Sequence, residues 1–136
     1  MHQHSRAFTL IEMLLAIAVI AILAGIAMPS YQDYARQSRR IDGQTALMSL
    51  QMAQERWRAN NQSYSASLSD LGVSTSSSEN HYTIAITSGS TSAGGYTATA
   101  TAQSTSPQAG DTGCSTLTLS QSGNQTSMTP AACWKK

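Results

Sequence analysis

Charge is what this sequence has least of. Only 11% of its 136 residues are Asp, Glu, Lys or Arg, and eight basic against seven acidic residues leave a formal charge of +1. A nucleic-acid binder that works by neutralising phosphates carries a clear basic excess. None is present, so composition argues against nucleic acid as a partner. Aromatic residues are scarce at 6%, and there are three Pro and two Cys. After Arg58 no Lys or Arg occurs until Lys135. Two cysteines, Cys114 and Cys133, make neither a zinc-site pattern nor a CxxC redox pair. Asp70, Glu79 and Asp111 are too scattered for a calcium loop. No Gly-rich phosphate loop opens a helix, and no Ser/His/Asp set has local support. The residues therefore point away from an enzyme, with no catalytic residue, metal or cofactor expected. Ser and Thr fill the gap, supplying 36 of the 136 residues.

The apolar residues are concentrated at one end. From Phe8 to Met28 the only charge is Glu12. At about 1.5 Å per residue these roughly 21 positions match the hydrocarbon thickness of a bilayer. A removable secretory signal is the simplest alternative. It is disfavoured because Met28-Pro29-Ser30 follows the run in place of a small-x-small cleavage site. A plain anchor explains everything but Glu12, since a carboxylate in a span costs about 2.5–3.5 kcal/mol at the helix centre, and less near an interface. What remains after the span buries only a modest core, so some staple is expected.

Arg6-Ala7-Phe8-Thr9-Leu10-Ile11-Glu12 followed by this apolar helix resembles the class III signal of type IV pilins and pseudopilins. The resemblance implies a leader, residues 1–7, removed by prepilin peptidase between Ala7 and Phe8, with the new terminus at Phe8 N-methylated. The family usually has Gly before the cut where this chain has Ala7, the next smallest residue. The resemblance also implies that Glu12 acts in assembly by neutralising the terminal amine of a neighbouring subunit. Two such charges in a low-dielectric filament core attract strongly only when they meet. Arg6 precedes the span while Arg36, Arg39 and Arg40 follow it, so charge alone does not place the leader in the cytoplasm. The family does: it implies a single-pass protein of the bacterial inner membrane with a periplasmic head, which then enters a cell-surface pilus.

Beyond the span, residues 29–60 read as the amphipathic half of one helix running from about Phe8 to Asn60, roughly 80 Å if straight. Pro29 removes a backbone donor and is expected to kink or loosen it. In pilins a Pro at this place lies where the helix melts during assembly, with Gly25 assisting. Ile41, Thr45, Met48 and Met52 recur at three- and four-residue steps, with Leu47, Leu50 and Trp57 beside them. That stripe, including Met48 and Met52, is expected to face a core. Arg36, Arg39 and Arg40 read as a solvated stripe paired with Asp33, Asp42 or other acidic neighbours.

Residues 61–136 read as a polar, β-rich head. Ser67-x-x-Asp70 before Gly72 predicts a short capped turn, and Ser74–Ser78 a low-complexity loop. Three runs alternate with period two: His81 to Thr87, Tyr96 to Ala102, and Thr116 to Gln121. Gly89–Gly95 fits a hairpin loop, and Gly123-Asn124 a turn into a short last strand. The expected fold class is α+β, a type IV pilin fold. In it the long N-terminal helix packs on a three- to four-stranded antiparallel sheet with a C-terminal disulfide loop. A head displayed outside an inner membrane oxidises Cys114 and Cys133, as pilins do, and closing that loop stabilises by about 3 kcal/mol on the chain-entropy model. His81 reads as a lone edge residue, while His2 and His4 belong to the leader. Asn61 and Asn124 open glycosylation sequons that carry little weight.

Leu117-Thr118-Leu119, Cys133-Trp134 and Gln54-Glu55-Arg56-Trp57 are most similar to minor pilins of the PilE type. The implied function is a structural pilus subunit, incorporated through its N-terminal helix, that supports pilus assembly, adhesion or twitching motility. The alternatives are a major pilin, a type II secretion pseudopilin, or a DNA-uptake receptor pilin. The implied partners are other pilin subunits, prepilin peptidase/N-methyltransferase, the assembly machinery of the inner membrane, and the membrane itself before assembly.

Overall fold

A computed structural model describes residues 8–134. Ala7, the residue before the expected cut, lies outside the described residues, as does the rest of the leader. The helix α1 spans Leu10–Arg58 and continues unbroken through Gly25 and Pro29. The chain divides into two compact units, Met1–Ala35 and Arg36–Lys136.

In the first unit the described residues are helical from Leu10 onward, and their large apolar side chains all lie exposed. Thr9 caps the start. Its Oγ1 accepts from the Glu12 N–H at 3.3 Å, and its carbonyl accepts from the Met13 N–H at 3.2 Å. Thr9-x-x-Glu12 is the spacing of a capping box. Glu12 also places a carboxylate in the first turn, where the helix dipole favours it.

The second unit carries a four-stranded antiparallel sheet in the order β1-β2-β3-β4. The strands are β1 (Tyr82–Ile86), β2 (Gly95–Ala102), β3 (Thr116–Ser122) and β4 (Gln125–Thr129). The first three match the expected runs to within one residue at each end, and β4 is the short last strand expected after the Gly123-Asn124 turn. Alternation sets the two faces. Ile84 pairs with Ala100 and Ala100 with Leu117; Ala98 pairs with Leu119 and Leu119 with Met128. These side chains form the inner face. The other face is almost entirely hydroxylated, with Thr83, Thr101 and Thr116 in one row and Thr99, Thr118 and Thr129 in the next.

The helix residues facing this core are Leu47 and Leu50, packed with Tyr82, Ile84, Tyr96, Ala98, Leu117 and Leu119. Small side chains on β2 leave room for the two leucines. Gly43 does the same for Tyr82, because a Cβ there would lie 2.8 Å from the ring's Cδ2. Gln54 is buried but satisfied: it donates to the Ser65 carbonyl at 2.7 Å and accepts from the Ser65 N–H at 2.9 Å. The face expected from the sequence is therefore corrected. Ile41, Met48 and Met52 are 53%, 43% and 57% exposed. This part of α1 has two opposed stripes. The sheet takes the one whose small, flat and amide side chains fit its relief, and leaves the more flexible Met stripe outside.

The Ser-rich loop has a job the composition did not reveal. Ser76 bridges Thr83, the Thr75 carbonyl accepts from the Ile84 N–H, and the Ser77 Oγ accepts from the Tyr82 N–H. Together they cover part of the open edge of β1. The expected turn before it is present: Asp70 N–H donates to the Ser67 Oγ, and Gly72 ends the turn at φ +64°.

Candidate functional site: an exposed helix and an anchored C-terminal loop

The Phe8–Met28 stretch is the first candidate surface. Phe8, Leu10 and Ile11 are each at least 72% exposed, and the pattern persists to Met28. By length and composition α1 meets the requirement for crossing a membrane. Phe8 and Glu12 lie here, four residues apart at the start of the helix, with Gly25 further along.

The C-terminal loop is the second candidate. Cys114 and Cys133 are bonded to each other, as expected. Arg40 holds the approach to this loop through a two-pronged ion pair, Nε to Asp111 Oδ2 at 2.6 Å and Nη2 to Oδ1 at 2.7 Å. Gln44 Nε2 donates to the Cys133 carbonyl at 2.8 Å, and Gln108 Nε2 donates to Asp111. The Arg40 hydrogen bonds, together with its charge, hold the Asp111 carboxyl below the usual carboxylate range against the opposing effect of burial. The tie crosses 71 sequence positions, a partner for Arg40 that its neighbours in sequence do not point to.

Asp42 serves the Ser-rich loop. Its Oδ1 accepts from the Ser78 hydroxyl and the Glu79 N–H, both at 3.1 Å. Burial pushes this carboxyl up, and hydrogen bonds from Ser77, Glu79 and Ser78 outweigh it, so the group sits below its ordinary value. Burial raises the Tyr82 phenol to about 12 and raises Tyr96 as well.

His81, Ser106 and Glu79 form a small polar group. His81 Nδ1 lies 2.9 Å from the Ser106 Oγ, and its Nε2 lies 3.5 Å from Glu79 Oε2. Ser106 is buried, and its Oγ accepts from the Gln108 N–H at 3.2 Å as the N-cap of a 3-10 turn over Pro107–Gly110. The buried Ser106 caps this turn while it contacts His81, so the group pins two loops. Among the described residues no group of three or more His, Cys, Asp or Glu could hold a metal.

At the far end of α1, Arg58 donates to the carbonyls of Asn61 and Ala93 and lies over the Tyr64 ring, 5.9 Å from its centroid. Tyr64 in turn packs against Tyr96 at 4.9 Å between centroids. That arginine is structural. Among the described residues, the cations beyond α1 number none, in keeping with the composition.

Comparison with known proteins gives the same picture. Residues 29–118 match the family described as "Type IV minor pilin ComP, DNA uptake sequence receptor", and residues 2–28 match the "Prokaryotic N-terminal methylation motif". The type IV major alpha-pilin of Moraxella bovis is 51% identical over 43 residues, covering 30% of this chain and 27% of that protein. The type IV major pilin protein PilA of Myxococcus xanthus is 34% identical over 68 residues, covering 50% of this chain and 31% of that protein. A fimbrial protein of Neisseria meningitidis is 31% identical over 77 residues, or 57% and 45% of the two chains. The matched stretch thus spans less than half the length of each of these relatives. With a helix of this kind, a four-stranded antiparallel sheet and a C-terminal disulfide, the chain belongs to the type IV pilin family, as a member of its minor-pilin group.

Proposed function

We propose that this chain is a minor pilin, a structural subunit that enters a type IV pilus through its N-terminal helix and supports assembly, adhesion or twitching motility. The observation that carries this reading is the run of exposed apolar side chains from Phe8 to Met28. Such a surface is stable only in lipid or against other copies of the same kind of helix. Membrane anchoring before assembly follows from it, while the methylation motif over residues 2–28 supports other pilin subunits and prepilin peptidase as partners. Cleavage after Ala7, methylation of Phe8, an inner-membrane location with the head in the periplasm, and local melting at Gly25 and Pro29 belong to the same reading.

Glu12 supplies recruitment: its carboxylate meets the terminal amine of a neighbour, so each subunit carries an unmatched charge until it docks. Glu12→Ala is expected to leave processing intact and to lower the subunit's share in sheared filaments several-fold. Equal shares of mutant and wild type would sink the role of Glu12.

The wording of the matched family favours a second reading, reception of DNA. The charge distribution weighs against it, because residues 59–134 contain no Lys or Arg. The salt-dependent part of DNA affinity comes from cations that neutralise phosphates. The expected result for the full chain in detergent is no duplex-DNA gel shift at about 0.15 M salt. A shift that weakens steeply with salt would put reception ahead of a purely structural role.

A further inference from the structure

Within the second unit, a groove of about 530 Å³ runs between α1 and the loop of residues 71–80. Its volume lies in the range of small-molecule sites, about 300–1,000 Å³. The helix contributes Thr45, Ser49 and Arg56 to one wall, and the loop contributes Ser74 and Asn80 to the other. Ala46, Leu71, Val73 and Ile84 add apolar surface. Four of these polar side chains are uncommitted: among the described residues, no hydrogen bond or ion pair engages the side chain of Thr45, Ser49, Asn80 or Arg56. Asn80 is held at φ +58°, a left-handed conformation that Asn tolerates better than most residues.

The chemistry of these walls selects a ligand. Hydroxyl and amide groups both donate and accept, and so match a partner that does the same at every position. No carboxylate lines the groove, and Arg56 is its one cation. A guanidinium pairs best with a planar carboxylate. From Thr45 to Arg56 the helix wall runs about 16 Å, which suits an elongated ligand with its charge at one end. A phosphate-rich ligand would call for several cations.

We propose that this groove binds a short acidic oligosaccharide, its uronate carboxylate on Arg56 and its hydroxyls on Thr45, Ser49 and Asn80. The test is isothermal titration of the full chain in detergent with tri-galacturonate, using neutral chitotriose for comparison. Because the unassembled chain is titrated, the outcome is independent of filament incorporation. Expected is saturable binding of tri-galacturonate, weakened at least about tenfold by Arg56→Ala and abolished by Ser49→Trp, which fills the groove from an exposed position. Arg39→Ala, outside the groove, leaves binding unchanged. Absence of saturable binding overturns the proposal. So does equal loss in the Arg39 and Arg56 variants, which would mean diffuse charge attraction. Chitotriose binding as tightly as tri-galacturonate would overturn the assignment of the acidic sugar.

Discussion

The two units deal with apolar surface in opposite ways. Residues 10–28 hold ten of the chain's twenty Ile, Leu and Val and bury none of them. The head spreads the other ten over a far longer stretch, yet places Leu47, Leu50, Leu117 and Leu119 fully out of solvent and closes its last segment with a disulfide. The apolar stretch from Leu10 to Met28 is left open, whereas the head closes a core of its own. The difference separates what this protein must do with neighbours from what it does by itself.

The comparison is sharpest where the head's own packing is cut. Leu50→Ala removes a fully buried side chain beneath the sheet and is expected to cost about 3–4 kcal/mol. Chemical denaturation followed by Trp57 and Trp134 fluorescence would measure it, and a cost under about 1 kcal/mol would mean the helix is not part of this core. Asp111→Asn comes next, at about 2 kcal/mol, because it unmakes the charged bonds that tie Arg40 to the C-terminal segment. Its pH signature is specific. The native carboxyl lies below its ordinary value, so the stabilisation is present above about pH 4 and is lost as pH falls through the lowered native value. In Asp111→Asn that part of the acid sensitivity should be gone; an unchanged acid limb would assign it to other carboxyls, such as Asp42. The smallest effect on the head is expected from replacing Ile41, Met48 and Met52 together by Ser, within about 0.5 kcal/mol for exposed positions. If that stripe is a subunit contact, the same variant is under-represented in filaments. A head destabilised by several kcal/mol would instead return the stripe to the core.

Much of the fold was legible in the sequence, and the misses have physical causes. Tyr82-Thr83-Ile84 and Leu117-Thr118-Leu119 alternate strictly, so strand and face could be read together. The buried face of the helix could not be. Gly43 and Gln54 are poor core residues by hydrophobicity and good ones by shape and hydrogen bonding, and only the sheet's relief reveals that. Arg40 and Asp111 are brought together by the fold with no local signal. Two caps, in contrast, were in plain view: Thr9-x-x-Glu12 has capping-box spacing, and Ser106-Pro107 has an N-cap residue before a Pro at the first helical position. Of the candidate site residues, Cys114 and Cys133 meet as expected, while Phe8 and Glu12 lie exposed at the N-terminal end of the described residues.

The most direct test of the central claim, a pilus subunit held by its N-terminal helix, is the intact mass and N-terminal sequence of the protein recovered from sheared filaments and from membranes. The account predicts a chain in the filaments that begins at methylated Phe8 and carries the Cys114–Cys133 bond. A chain that still begins at Met1 and occurs only in membranes would contradict it.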